Sequence, residues 1–248
     1  MKILVCISHV PDTTSKINFT ENDTKFDTNG VQFVINPNDE FGLTRAMWFK
    51  EKQGAHVTVV NVGGAETEPT LRKALAIGAD AAIRVNIPAT DGFSVAKQLA
   101  KVIEDGAYDL IIAGRESIDY NGGMVPGMIA ALTHANFVNN CISLEIEGST
   151  ATTVREIDGG KETATTSLPL VIGGQKGLVE ESDLRIPNMR GIMMARKKPL
   201  TVIDGAEMTA ETTSVSFEKP TPKGAVKLVP ADNIDELISL LHNEAKVI

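Results

Sequence analysis

Short apolar runs alternate with helical patterns through the first half of this 248-residue chain, and this alternation constrains the fold more than any other feature. The apolar runs are nearly unbroken and lie at residues 3–7, 57–62, 81–87 and 110–114. Such runs are typical of strands buried on both faces, as a parallel sheet requires. Apolar residues at helical spacing lie between them, over residues 38–52, 70–77, 95–106 and 125–132. This order predicts a doubly wound α/β fold with a mostly parallel sheet, which binds ligands at the carboxyl ends of its strands.

The pattern changes after Cys141. Strand-like stretches follow at residues 142–147, 151–157 and 163–172, with a hairpin signal at 158–160. Residues 199–230 are rich in Thr, Lys and Pro and predict an extended arm. Two helix N-termini have candidate N-cap residues. We expect Asn38 or Asp39 to cap the first helix and Asp232 to cap a last helix over 234–241. We therefore divide the chain into an α/β domain, residues 1–198, and a C-terminal arm, residues 199–248.

Composition and motifs exclude several classes of function. The net charge of −8 disfavours a nucleic acid as partner, and the apolar runs are far shorter than the roughly 20 residues of a membrane helix, so we expect no direct membrane insertion. The two cysteines, Cys6 and Cys141, match no zinc spacing and indicate a reducing compartment, bacterial cytoplasm or mitochondrial matrix. No catalytic motif is present, and each of the four histidines is expected on the surface or in a loop. We therefore expect no metal, no catalytic residue and no enzyme.

The strongest local feature is a glycine-rich loop, residues 115–124, that joins a buried strand to a helix starting near Val125. Gly122 and Gly123 let backbone N–H groups approach a ligand, and the partial positive charge of a helix N-terminus suits a phosphate. Pro126 fits the first helical turn, where an N–H has no partner in any case. The alternative is a loop that merely connects the strand to the helix.

Other strand ends are expected to converge on the same site. Residues 6–9 end the first strand, residues 62–64 end the second, and the turn at 36–39 offers amide and carboxylate groups. Singly each is ordinary turn chemistry. Together they could surround an adenosine moiety and its phosphate.

A basic segment, residues 182–198, carries five cations against one acid inside this acidic chain, and it holds Met189, Met193 and Met194. Cations interspersed with flexible methionines indicate an adaptable surface for docking a protein. The alternative is a solvated loop whose methionines cover the core.

Six stretches, in this order over roughly residues 1–200, carry a family resemblance: KILVCISHVPD, NPND, VGGAETEPTLRKALAIGAD, GRESID, VREIDGGKETATTSLPLVIGG and SDLRIPNMRGIMMARKK. With them the chain resembles the β subunit of electron transfer flavoproteins. The resemblance implies a Rossmann-like α/β domain with a C-terminal extended arm that docks on an α subunit. It implies a heterodimeric electron carrier that shares an FAD between subunits and serves fatty acid oxidation, from acyl-CoA-type dehydrogenases to a quinone reductase or other acceptor.

The resemblance also implies which residues bind. It places a structural AMP in this subunit, or a second FAD as in electron-bifurcating members, and the basic segment becomes the recognition loop for dehydrogenases, with Met189 as anchor beside Arg190, Arg196 and Lys197. The implied nucleotide contacts, in a run that continues to Ala130, are Cys6, Asn36, Pro37, Asn38, Asp39, Val62, Asp119, Tyr120, Asn121, Gly122, Gly123, Met124, Val125, Pro126 and Gly127.

Two departures keep the choice of nucleotide open. Asn121 and Met124 stand where the family commonly has an acid and a Gln, while the NPND turn is closer to the bifurcating type; we favour AMP. A rival from another class is a stand-alone adenine-nucleotide-binding regulator like the universal stress proteins. The basic segment and the arm favour the carrier, because a self-contained regulator needs neither.

Overall fold

The apolar runs of the sequence form the centre of a nine-stranded sheet in the computed structural model, which describes residues 1–222 and 224–248. In chain order the strands are β1 Lys2–Cys6, β2 His9–Pro11, β3 Phe19–Thr20, β4 Lys25–Phe26, β5 Phe33–Ile35, β6 His56–Val62, β7 Ala81–Asn86, β8 Leu110–Gly114, β9 Asn136–Glu147, β10 Thr150–Ile157, β11 Gly160–Ser167, β12 Leu170–Gly174 and β13 Leu200–Asp204. The helices are α1 Pro37–Gln53, α2 Glu68–Ile77, α3 Gly92–Gly106, α4 Val125–Thr133, α5 Met189–Ala195 and α6 Ile234–Ser239.

The large sheet has the order β11-β10-β9-β12-β8-β1-β6-β7-β13 and is parallel from β9 through β13. β1 lies between β6 and β8, so the chain builds outward on one side of β1 and then returns to its other side. The carboxyl ends of β1 and β8 therefore form the switch point where such sheets bind ligands. Among the described residues, the antiparallel pairs of this sheet are β9 with β10 and β10 with β11, so β10 and β11 form a hairpin at the β9 edge of the parallel block.

The core lies on both faces of the sheet, which confirms the doubly wound α/β prediction. Ile3 and Val5 of β1 pack with α1 and α2 on one face, and Leu4 and Cys6 pack with α3 and α4 on the other. Residues of one strand alternate between the faces because successive side chains point to opposite sides.

Several boundaries differ from the predictions. The N-cap position of α1 is Asn36, two or three residues before the predicted Asn38 or Asp39; its side chain makes no capping hydrogen bond, and Pro37 lies in the first turn. The predicted strand over 163–172 is two strands, because Pro169 has no N–H for a ladder and separates β11 from the buried β12. His9, expected on the surface or in a loop, is half-buried on β2 and stacks on Phe33 with ring centroids 4.3 Å apart.

The C-terminal third also departs from its predictions. The basic segment, expected to be irregular, contains α5, whose N-cap Asn188 accepts from the Gly191 N–H. β13 adds to the sheet beside β7, so the first residues of the predicted arm are an edge strand. α6 is capped by Asn233 and not Asp232, and a π-helical turn, Leu240–Ala245, follows it. Position 223 of the arm lies outside the described residues. Among the helices described, none combines the length and apolar character needed to cross a membrane.

Candidate functional site

One buried side chain, Asp39, joins the carboxyl ends of β1 and β8. Its Oδ2 accepts a hydrogen bond from the Ser8 N–H at 2.7 Å, and its Oδ1 accepts one from the Gly114 N–H at 2.8 Å. Asp39 is 2% exposed, and burial raises the pKa of its carboxyl to about 7. The carboxylate therefore bridges the switch point of the sheet.

Two amides of the same turn hold the start of the glycine-rich loop. Asn36 Nδ2 donates to the Glu116 carbonyl at 2.9 Å, and its Oδ1 accepts from the Ile118 N–H at 3.2 Å. Asn38 Nδ2 donates to the same Glu116 carbonyl at 3.1 Å. The residues joined in this way form the strand-end network: Ser8, Asn36, Asn38, Asp39, Gly114, Glu116 and Ile118.

The glycine-rich loop is closed by an isolated antiparallel bridge between Ser117 and Gly122, and it leaves open space beside its two glycines. A Cβ added to Gly122 would have Ser117 Oγ as its nearest neighbour at 4.0 Å, and one added to Gly123 would meet the Arg115 carbonyl at 3.4 Å. Among the described residues no side chain caps the N-terminus of α4, which has Pro126 in its first turn. Free backbone N–H groups at a helix start carry partial positive charge and attract a phosphate. This arrangement can hold an anion without any cationic side chain.

The remaining predicted contacts lie around this opening. Asp119, Tyr120 and Asn121 are exposed at the tip of the loop, Met124 is also exposed, and Val125 and Gly127 are half-buried in α4. Cys6 is buried at the end of β1, where burial raises the pKa of its thiol far above the usual range, so it stays neutral. Its role at a ligand is limited to packing.

Val62, at the end of β6, lines a cavity of about 310 Å³ between the ends of β6 and β7. The start of the arm covers this cavity. Gln98 of α3 exchanges two hydrogen bonds with the Ala206 backbone, and Asp91, the N-cap of α3, accepts from the Glu211 and Thr212 N–H groups. The arm is thus tied to the chain's own α3 as far as residue 212.

The basic segment presents apolar side chains to solvent. Met189 is 75% exposed, Met193 66% and Met194 51%, but Ile186 is more exposed than any of them, at 87%. Only Ala195 of α5 is buried. The interpretation that the methionines cover the core therefore fails, and the segment offers a genuine apolar surface.

The cations of the basic segment fall into two groups. Arg185 pairs with Glu51 at 2.7 Å, and Lys198 Nζ donates to the carbonyls of Leu75 and Ala79. Both are therefore engaged within the chain. Arg190, Arg196 and Lys197 are exposed, and the structure shows no ion pair for them among the described residues.

Sequence reasoning found the strand ends, the glycine-rich loop and the basic segment, and the structure brings the turn at 36–39 against the start of that loop. It missed Ser8 and Glu116, which act through backbone atoms and carry no sequence signal. It also missed Ile186, because this residue lies between Arg185 and Pro187, outside any helical pattern of apolar residues. No cluster that could hold a metal occurs in the described part of the chain.

Comparisons with known proteins give one consistent result. A family model described as "Electron transfer flavoprotein domain" matches residues 23–208. The chain is 37% identical over 262 aligned residues to the "Electron transfer flavoprotein subunit beta" of Bacillus subtilis, covering 100% of both chains. A protein of the same name from Syntrophomonas wolfei is 36% identical, with 91% of this chain and 88% of that one covered. The Homo sapiens protein of that name is 30% identical, with 100% and 99% covered.

Proposed function

This chain belongs to the electron transfer flavoprotein family and is similar throughout to its β subunits, and from that premise we propose that it pairs with an α subunit to form a soluble carrier of electrons. The carrier takes electrons from acyl-CoA-type dehydrogenases, as in fatty acid oxidation, and passes them to a quinone reductase or other acceptor. The flavin supplies the redox chemistry when bound. This chain supplies binding surfaces and no catalytic side chain. It shares the compartment of its partners, the bacterial cytoplasm or the mitochondrial matrix.

We propose further that a structural AMP binds at the switch point, with its phosphate at the N–H groups of residues 122–125. The observation that carries this is the open backbone at Gly122 and Gly123 ahead of an uncapped helix. The residues present fit a nucleoside monophosphate. Neutral N–H donors are available for the phosphate, and Val62 and Cys6 provide apolar walls. Asn121 and Met124 would offer the ribose or phosphate fewer acid and amide groups than the family commonly has.

The test is to denature the heterodimer and identify the nucleotides released. One FAD and one AMP per heterodimer is the expected result. Two FAD molecules would replace this proposal with an electron-bifurcating carrier. A colourless homodimer that binds ATP would support the stand-alone regulator instead.

A single variant tests the position of the phosphate. Gly122→Ala places a methyl group where the free chain has room, so its unfolding temperature should match the wild type. The same methyl should exclude AMP and lower its affinity by about tenfold or more, because the backbone could no longer approach the phosphate. Gly160→Ala is the matched control, since a Cβ there has nothing within 4 Å and lies in a distant hairpin. Equal AMP affinity in both variants would place the phosphate elsewhere.

We propose that the basic segment docks the dehydrogenase through an apolar anchor inside a rim of Arg190, Arg196 and Lys197. The exposure of Ile186 and Met189 supports both as anchors, one on each side of the N-cap of α5. The α subunit is expected on the outer part of the arm.

A further inference from the structure

We infer that Asn36, Asn38 and Asp39 are positioning residues, which set the geometry of the nucleotide site by holding backbone of β1, β8 and the glycine-rich loop. This inference rests on the proposed nucleotide site and changes the role of three residues that resemblance assigns to direct contact. Asn36 and Asp39 use both polar side-chain atoms within the chain, and Asn38 uses its Nδ2.

Asp39 has no free oxygen directed at a ligand. Each oxygen accepts a backbone N–H, one from Ser8 and one from Gly114, and the side chain lies in the core at 2% exposure. The fit at β8 is tight: a Cβ on Gly114 would lie 2.3 Å from Asp39 Oδ1 and 2.8 Å from Asn38 Cβ. Gly114 thus lets the turn approach the strand end, and Asp39 fixes that approach.

The chemistry of Asp39 makes it a specific link between the ends of β1 and β8. Its hydrogen-bond partners are the neutral backbone N–H groups of Ser8 and Gly114, and burial raises the pKa of the carboxyl to about 7. Burying a carboxylate without a cation is costly unless hydrogen bonds compensate it, so Asp39 depends on these N–H donors at the two strand ends. The N–H groups of Ser8, in the loop after β1, and of Gly114, at the end of β8, are each accepted by a separate oxygen; a carboxylate supplies two such oxygens, whereas Ser supplies one and an apolar residue none.

Asn36 and Asn38 extend this hold to the loop. Asn36 is fully buried and uses both ends of its amide, one on the Glu116 carbonyl and one on the Ile118 N–H. Asn38 reinforces the Glu116 carbonyl. The loop therefore leaves β8 in one fixed direction, which places Gly122 and Gly123 in front of α4 before any ligand arrives. Such preorganisation lowers the free-energy cost of binding.

The experiment measures AMP affinity and backbone amide exchange in the full chain, bound to its α subunit, for Asp39→Asn and for Asn38→Ala. Asp39→Asn turns one acceptor into an amide N–H that faces a backbone N–H. Asn38→Ala is milder, since Asn36 still donates to Glu116, and it keeps the test available where Asp39→Asn fails to fold. Asp105→Asn, an exposed position on α3, is the matched control.

We expect AMP affinity to fall by about tenfold in Asp39→Asn and about threefold in Asn38→Ala. In the nucleotide-free state, amide exchange should accelerate in residues 114–118, while the strands of the core keep wild-type exchange. The free-state exchange is the readout that a direct ligand contact would not change.

Three results bear on the inference separately. Loss of AMP affinity with wild-type exchange in residues 114–118 would mean direct contact and overturn it. Wild-type affinity and wild-type exchange in both variants would also overturn it. No AMP binding by the wild type would refute the proposed nucleotide, whereas faster free-state exchange in 114–118 would still support the hold on the loop.

Discussion

The strand-end network and the basic segment are built in opposite ways. In the network, polar side chains lie in the core and bind backbone atoms across the switch point, as Asn36 and Asp39 do. In the basic segment, apolar side chains such as Ile186 and Met189 face solvent. The first arrangement fixes a geometry before any ligand binds. The second leaves apolar surface exposed to solvent, which is typical of a site that binds another protein.

The basic segment is nevertheless held firmly from beneath. Arg72 of α2 donates to the carbonyls of Ala195 and Lys198 at 2.8 and 2.9 Å, and Lys198 donates in return to carbonyls at the end of α2. Arg72 thus caps the C-terminus of α5, and Lys198, in the segment after α5, caps that of α2. Gly191 allows this contact, because a Cβ there would lie 2.4 Å from the Ala76 carbonyl. Rigidity below and apolar exposure above are what a docking surface needs.

The arm offers the largest test of this contrast. Each hydrogen bond that the structure shows for residues 224–248 stays within that stretch, and Val226 and Leu228 are 77% and 90% exposed. Removing residues 225–248 should leave the thermal unfolding of the free chain unchanged. It should weaken association with the α subunit by about a hundredfold or more, because the truncated chain can no longer bury the apolar side chains of the arm against the α subunit. Titration of the α subunit by calorimetry measures this. Wild-type affinity of the truncated chain would show that the arm is not a docking element.

A smaller but sharper effect is expected at the anchors. Ile186→Ala and Met189→Ala should each slow reduction of the heterodimer by its dehydrogenase, by up to about thirtyfold for the central anchor, because a buried hot spot contributes about 2 kcal/mol. The larger loss should fall on Ile186, the more exposed side chain. Stopped-flow kinetics measure this, with the flavin spectrum and nucleotide content unchanged. Ile157→Ala, also exposed but on β10, is the control.

Equal rates for all three variants and the wild type would return the segment to a solvated connector. A larger loss at Met189 than at Ile186 would support the anchor that the resemblance implied.

The two regions also differ in how far sequence could predict them. Apolar runs and glycines are local signals, so the central strands β1, β6, β7 and β8, the glycine-rich loop and the start of α4 were predicted, whereas the short strands β2 to β5 and the edge strand β13 were not. The convergence of the strand ends was also predicted, but the hydrogen bonds of the strand-end network were not, because Asp39 meets N–H groups 31 and 75 positions away and a backbone donor leaves no mark in sequence. α5 was not predicted because it has only seven residues and closely follows Pro187. The exposed Ile186 was not predicted as an anchor because the methionines are the more obvious apolar residues of the segment. Exposure follows from tertiary packing, which composition does not give.

Arg72 tests whether the docking surface depends on its support. Arg72→Met keeps the aliphatic stem and removes the two hydrogen bonds to the end of α5. We expect faster amide exchange in residues 189–198 and about fivefold slower reduction by the dehydrogenase, with unchanged AMP content. Lys73→Met is the control, since Lys73 lies on the same helix but pairs with Glu40 at 2.9 Å. Slower reduction with wild-type exchange would mean that Arg72 meets the partner directly.

The smallest effect is expected from the rim, where charges are exposed and screened. Arg196 is solvent-exposed next to the end of α5, and an exposed cation contributes mainly to the rate of encounter with an acidic partner surface. Arg196→Ala should lower the association rate about twofold at low ionic strength and flatten its salt dependence. The wild-type and variant rates should converge in about 1 M salt, where the Debye length falls to about 3 Å. Stopped-flow reduction at several ionic strengths measures the slope, with Lys101→Ala on the opposite face of the sheet as control. An unchanged slope for Arg196→Ala beside a strong loss for Ile186→Ala would mean that the contact is apolar throughout and that the rim cations face solvent in the complex.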